Sequence, residues 1–192
     1  MRADLLIHSA AQLVPCASPA GYRRGPAMHD PGIIPDGALA VVGERIAALG
    51  LSAELRASVH AEREIDASGM IVCPGFVDPH THLVYAGDRV AEFEQRIQGH
   101  TYLEILAAGG GIVSTMHAVR AASLDQLIAE SRSRLDTMLA LGTTTAEVKT
   151  GYGLDHAAEL KMLHAIAALD AAHAVELVPT FLGAHAFPPE FR

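Results

Sequence analysis

The sequence predicts an α/β fold built on parallel strands, and three features of its 192 residues lead there. In the second half, strand-like and helix-like stretches alternate, the order that sets parallel strands side by side with right-handed crossovers. An apolar run, residues 71–77, has the composition of a strand buried on both faces and runs on into His80-Thr81-His82. Residues 1–70 instead carry short β segments broken by glycine and proline, the pattern of a small β-sandwich.

Taken in order, strand-like runs cover residues 4–14, 38–49 and 61–66, and the Pro/Gly-rich stretch 15–37 reads as an exposed loop. Val41-Val42-Gly43-Glu44-Arg45-Ile46 reads as a hairpin around a Gly-Glu turn, and residues 52–58 as one or two helical turns. A long excursion, 83–122, follows the histidine pair. Within it Thr101-Tyr102-Leu103-Glu104 has the capping-box spacing, in which hydroxyl and carboxylate each satisfy an N–H that the first helical turn leaves unpaired. Gly109-Gly110-Gly111 stops that helix; three glycines serve equally as a flexible loop or as backbone that approaches a ligand closely. Ser123-Leu124-Asp125-Gln126 repeats the capping-box spacing, and Leu124, Leu127, Ile128, Leu135, Met138 and Leu139 form one helical face ending at Gly142. Residues 143–148, rich in β-branched side chains, read as a strand. Asp155 then caps a helix whose apolar face is Leu160, Leu163, Ile166 and Ala167, and residues 174–181 form another strand.

Composition narrows the function. Fourteen basic against 22 acidic residues give a net charge of −8, with two lysines, so no basic patch is available to neutralise phosphates or an anionic membrane. No apolar run is expected to reach the roughly 20 residues that span a bilayer. Cys16 and Cys73 lie far apart and fit neither a disulfide framework nor a zinc knuckle, so a reduced, cytoplasmic setting is expected.

His80 and His82 are the candidate metal ligands. Side chains two apart on an extended chain point the same way, so both imidazoles can reach one ion, and Asp78 shares their parity. His-x-His arises by chance in a chain with 11 histidines, but this pair closes an apolar strand, where ligands of a β/α barrel usually sit. Zinc and iron suit imidazole alike.

Pro74-Gly75-Phe76-Val77-Asp78-Pro79-His80-Thr81-His82 resembles the first-strand motif of the amidohydrolase superfamily. Tyr85-Ala86-Gly87-Asp88-Arg89, Gly109-Gly110-Gly111-Ile112, Glu147-Val148-Lys149-Thr150-Gly151-Tyr152-Gly153-Leu154 and Thr180-Phe181-Leu182-Gly183-Ala184-His185 resemble, within it, the imidazolonepropionase family. The resemblance implies an incomplete (β/α)8 TIM-like barrel, about its first three strands over residues 71–192, preceded in residues 1–70 by the N-terminal part of a composite β-sandwich. A complete barrel typically needs about 250 residues, so the chain reads as an N-terminal fragment, inactive alone. The implied chemistry is metal-dependent hydrolysis of 4-imidazolone-5-propanoate to N-formimino-L-glutamate, with one divalent ion, zinc or iron, and a small-molecule substrate. A homodimer at full length stays open.

The resemblance makes Arg89, Tyr152 and His185 substrate-binding residues. A guanidinium holds a carboxylate through two parallel hydrogen bonds, so Arg89 would bind the propionate group; otherwise it reads as a surface arginine. Tyr152, flanked by glycines, is poorly placed for core packing and can stack on a flat heterocycle. His185 is expected at the end of the third strand. Tyr102 is a further candidate, though packing explains it as well. Glu147 and Lys149 share a strand face and read as a pair. The remaining ligands and the general acid/base are expected outside these residues. His100, His117, His156, His164 and His173 read as surface groups. Another cyclic amidase or deacylase of the superfamily, or a non-catalytic self-associating fragment, are the alternatives.

Overall fold

A computed structural model of the chain describes residues 1–17 and 21–191; Ser18, Pro19 and Ala20 of the expected loop, and Arg192, lie outside the described residues. The chain divides into two compact units, Met1–Pro74 and Gly75–Arg192.

Among its described residues the first unit holds a five-stranded sheet, one α-helix and a 3-10 turn at Gly25–His29. Its elements are β1 (Arg2–Leu13), β2 (Ile34–Val42), β3 (Arg45–Leu51), α1 (Ser52–Ser58), β4 (His60–Asp66) and β5 (Ile71–Val72). The strand order is β3-β2-β1-β4, with β5 also pairing β1. β1, β2 and β3 run antiparallel, and β4 and β5 run parallel to β1. The turn between β2 and β3 holds Gly43 at φ +59°, a left-handed angle that glycine adopts without a Cβ clash. Ala3, Leu6, Ala38, Ala40, Leu55 and Val59 pack as the core between sheet and helix.

Among its described residues the second unit holds a three-stranded parallel sheet, five α-helices and a 3-10 turn at Pro189–Phe191: β6 (Phe76–Thr81), α2 (Val90–Ile97), α3 (Tyr102–Ala107), α4 (Ile112–Ala121), α5 (Leu124–Ala140), β7 (Thr143–Lys149), α6 (His156–Ala172) and β8 (Glu176–Thr180). The strand order is β6-β7-β8. Val84, Leu127, Leu135, Val148, Met162 and Leu169, all fully buried, anchor its core.

Several expectations need correction. The apolar run 71–77 is not one strand buried on both faces. Ile71 and Val72 pair with β1, while Phe76 and Val77 begin β6. Between them, Pro74 lacks the N–H a ladder needs, and Gly75 runs so close to Thr144 that a Cβ there would meet its Oγ1 at 2.1 Å. Phe76 and Val77 stand 59% and 64% exposed, on a strand paired with β7 alone among the described residues.

The excursion 83–122 holds two helices beyond the expected one, α2 and α4. α4 begins at Gly111, which has no side chain to cap it, so the usual start signal is missing. By length and composition residues 102–121 could cross a membrane, but the glycine turn splits them into helices of 6 and 10 residues. The far end of α4 is closed by Lys161 of α6, whose ammonium donates to the carbonyls of Val119, Arg120 and Ala122 at 2.8, 3.1 and 2.6 Å.

The capping box at Thr101 and Glu104 forms in full. At Ser123 only half of it does: the hydroxyl accepts from the Gln126 N–H, while the Gln126 side chain donates forward to Glu130. On α6 the buried face is Ala158, Met162, Ala165, Ile166 and Leu169, and Leu160 points outward. Choosing the leucines missed that small alanines let a helix lie close to its neighbours. On α5, Leu135 is fully buried whereas Leu139 is 38% exposed. Leu135→Ala should therefore cost about 2–5 kcal/mol of unfolding free energy in urea, and Leu139→Ala much less; equal losses would contradict this packing.

Candidate functional site

Parallel pairing of the three strands brings their C-terminal ends to one side: Thr81 lies opposite Val148, and Lys149 opposite Thr180. The residues just past those ends therefore meet. The rings of His82 and Tyr152 stack with centroids 4.6 Å apart, and those of His82 and His185 lie 4.8 Å apart and within 8° of parallel. The His80 ring sits 5.9 Å from His82, edge-on at 62°. His185 does not end the strand as expected; it lies in a turn beyond β8, with its Nδ1 3.0 Å from the Gly151 carbonyl. The buried Thr150 anchors that turn, accepting from the Leu182 N–H through its hydroxyl at 2.9 Å.

His82 is the more enclosed histidine of the pair. Burial, followed by the neighbouring His185 and His80, holds it below the ordinary histidine range, which favours the neutral imidazole that metals bind. Its Nδ1 is buried and makes no hydrogen bond of good geometry, although the Thr150 backbone acts on the ring in the opposite sense, favouring its charged form. Such a ring nitrogen beside a second imidazole fits a divalent ion. Among the described residues, however, no group of three or more His, Cys, Asp and Glu gathers as a complete ligand set. Asp78 accepts from the His80 backbone N–H at 3.2 Å.

The loop carrying Tyr152 is held by charge. Glu159, 2% exposed in α6, accepts from the N–H groups of Gly151, Gly153 and Leu154, each at 2.8 Å. Arg120 of α4 donates to the carbonyls of Gly153 and Leu154 and pairs with Asp155 and Glu190. At Gly151, φ is +103° and a Cβ would meet His185 and the Leu182 carbonyl at 2.8 Å, so only glycine fits.

Arg89 donates from Nε and Nη2 to the Thr115 hydroxyl at 3.0 and 2.9 Å, with its guanidinium carbon 6.0 Å from the Tyr152 ring centre. Arg134 of α5 donates to the carbonyls of Leu83 and Tyr85 and lies 3.6 Å over the Tyr85 ring, fixing the loop that leads to Arg89. A cavity of about 340 Å³ opens among His82, Tyr85, Asp88, Arg89, Thr115 and Tyr152. His80 and His185 stand at its edge through their contacts with His82 rather than in its lining. Tyr102 is exposed and outside it. Lys149 and Glu147 pair as expected; the bond from Lys149, then that from Thr180, pulls the Glu147 carboxyl below its usual range. His173 is not a surface group: its ring is 5% exposed, accepts from the Val175 N–H and contacts Asp136.

Thr115, Arg120, Arg134 and Glu159 were not legible as site residues. Thr115, Arg120 and Arg134 act across the fold, Thr115 being 26 positions from Arg89, whereas Glu159 reaches N–H groups 5 to 8 positions before it. The single local hint was Glu159, an acid in the first turn of a capped helix, where free N–H groups gather.

No protein-family model matches the chain. Over 188 residues it is 62% identical to an imidazolonepropionase from Chloroflexus aggregans, and over 190 residues 53% identical to one from Herpetosiphon aurantiacus. These alignments cover 98% and 99% of the chain but 44% of each relative, so the chain spans less than half the length of the curated relatives it matches. Among solved structures, it superposes over 94% of its length on 42% of an adenosine deaminase from Xanthomonas campestris with bound zinc, at TM-score 0.56 and 16% identity. It also superposes over 98% of its length on 37% of a guanine deaminase from Bradyrhizobium japonicum, at TM-score 0.52 and 18% identity. At those identities the likeness is one of fold.

Replacing Glu159 by glutamine puts an N–H₂ group where acceptors are needed and leaves at least one buried N–H unpaired. Glu159→Gln should cost about 1–3 kcal/mol in urea denaturation; an unchanged midpoint would show that the carboxylate does not hold this loop.

Proposed function

We propose, from the premise that this chain belongs to the imidazolonepropionase family, that the whole protein hydrolyses 4-imidazolone-5-propanoate to N-formimino-L-glutamate. Water adds across a ring C–N bond, which opens. The observation that carries this reading is one cavity bordered by a histidine whose burial disfavours its charged form, a tyrosine ring and an arginine. Its volume, about 340 Å³, is at the lower end of ligand pockets and suits a small substrate.

His80 and His82 would contribute two ligands to a divalent ion, zinc or iron. When bound, such an ion lowers the pKa of water toward about 7 and so supplies a hydroxide nucleophile at neutral pH. The other steps fall to the chain's own side chains. Tyr152 lies flat beside His82 and offers its face to the heterocycle. Arg89 binds the propionate carboxylate and fixes the ring's position by its tail. His185 faces the substrate ring as a polar partner. Because the Gly151 carbonyl only accepts, His185 Nδ1 carries the proton there. That bond leaves Nε2 as the nitrogen that meets the substrate ring. No residue of this chain is assigned as general acid or base.

In the same reading the parallel sheet is the opening of a (β/α)8 barrel and the N-terminal sheet is part of a β-sandwich; the likeness to the two deaminases supports both.

The test is turnover of the imidazolone by the full-length protein, followed by its absorbance. Arg89→Ala should raise KM roughly 10- to 100-fold, as expected when a charge-assisted pair to a carboxylate is lost. A chelator should abolish turnover, and added zinc or iron should restore it. Chelator-resistant turnover would remove the metal from the account, and an unchanged KM would remove Arg89 from substrate binding.

A further inference from the structure

We propose that Thr115 is a positioning residue that dictates which edge of the Arg89 guanidinium receives the substrate carboxylate; this rests on the reading of Arg89 given above. A guanidinium carries five N–H groups in a rigid planar fork. The Nε–H and one Nη2–H lie on the same edge, and the Thr115 hydroxyl oxygen accepts from both nitrogens, at 3.0 and 2.9 Å. The opposite edge, made by Nη1 and the second Nη2 hydrogen, makes no hydrogen bond to protein among the described residues. That edge presents two parallel donors, the pattern a carboxylate takes in a two-point contact.

Charge supports the same conclusion. Among the described residues no carboxylate forms a salt bridge with Arg89. Glu92, the nearest acid on α2, is committed elsewhere: its Oε1 accepts from the Gly111 N–H at 2.8 Å and from the Ser114 hydroxyl at 3.0 Å. Asp88, which shares the cavity lining, accepts from the Val90 N–H at 3.0 Å, so neither acid is bonded to the guanidinium. Thr115 is itself well fixed, 6% exposed and followed by the fully buried Met116, on a helix whose far end Lys161 closes. A long side chain with several free torsions is thereby held in one orientation before substrate arrives, which reduces the entropy lost on binding.

Two variants of the full-length, metal-loaded protein test this. Thr115→Val keeps the shape and removes the acceptor; Thr115→Ser keeps the hydroxyl. Thr115→Val should raise KM for 4-imidazolone-5-propanoate roughly tenfold, the scale of one hydrogen bond to a charged group, with kcat within about twofold. Thr115→Ser should restore KM. Calorimetry with 3-(imidazol-4-yl)propanoate, which is not hydrolysed, should show the same roughly tenfold weakening in Thr115→Val, while the weaker-binding propanamide, lacking the charge, should not respond. Normal wild-type turnover with an unresponsive Thr115→Val, or equal losses for propanoate and propanamide, would overturn this proposal alone. A wild-type protein that neither binds the propanoate nor turns over the imidazolone would sink the functional reading and this inference with it.

Discussion

The hydrogen-bond ladder that aligns β6, β7 and β8 in parallel is the constraint on which the site depends. Antiparallel strands would put alternate ends on opposite sides of the sheet. Parallel ones bring every C-terminal end to the same side, so residues distant in sequence meet once the register is set. Thr81 pairs with Val148 and Lys149 with Thr180, and from that register the stacking of His82 with Tyr152 and His185 follows within a few residues of chain. A slip of one residue would also turn every side chain to the other face of its strand.

The loops that leave those strand ends are held by ionic side chains bound to peptide groups. Glu159 takes three N–H groups, Arg120 two carbonyls and Arg134 two more. A buried charge is costly unless its hydrogen bonds are met, and these are met by backbone groups of the loops. The same bonds that satisfy the charge fix the loop. The cavity wall thus gains rigidity from groups that do not line it, leaving His82, Tyr152 and Arg89 to present ring faces and donors.

Much of this was legible in the sequence, and what was not has physical causes. The β2–β3 hairpin, α1, the Thr101 capping box and the strand–helix alternation after residue 123 follow from local chemistry, and local chemistry is what a sequence displays. Residues 71–77 were misread because apolar composition does not reveal which sheet a strand joins; Pro74 and Gly75 were the available signal that the run breaks there. α4 was missed because its start has no side-chain cap, and the buried face of α6 because alanine packing was judged by bulk. Among the candidate residues, His82, Arg89 and Tyr152 share one cavity, with His80 and His185 against His82, whereas Thr115 acts through a contact that no spacing predicts and Glu159 shows in the sequence only as an acid in the first turn of a capped helix.

The convergence of strand ends on one reacting centre is tested most directly by a crystal structure of the zinc-loaded full-length protein with 3-(imidazol-4-yl)propanoate bound. The account predicts His80 and His82 on one ion, the ligand ring beside Tyr152 and His185, and its carboxylate on the Nη1 edge of Arg89. An ion held without these two histidines, or a ligand seated away from Tyr152 and Arg89, would contradict it.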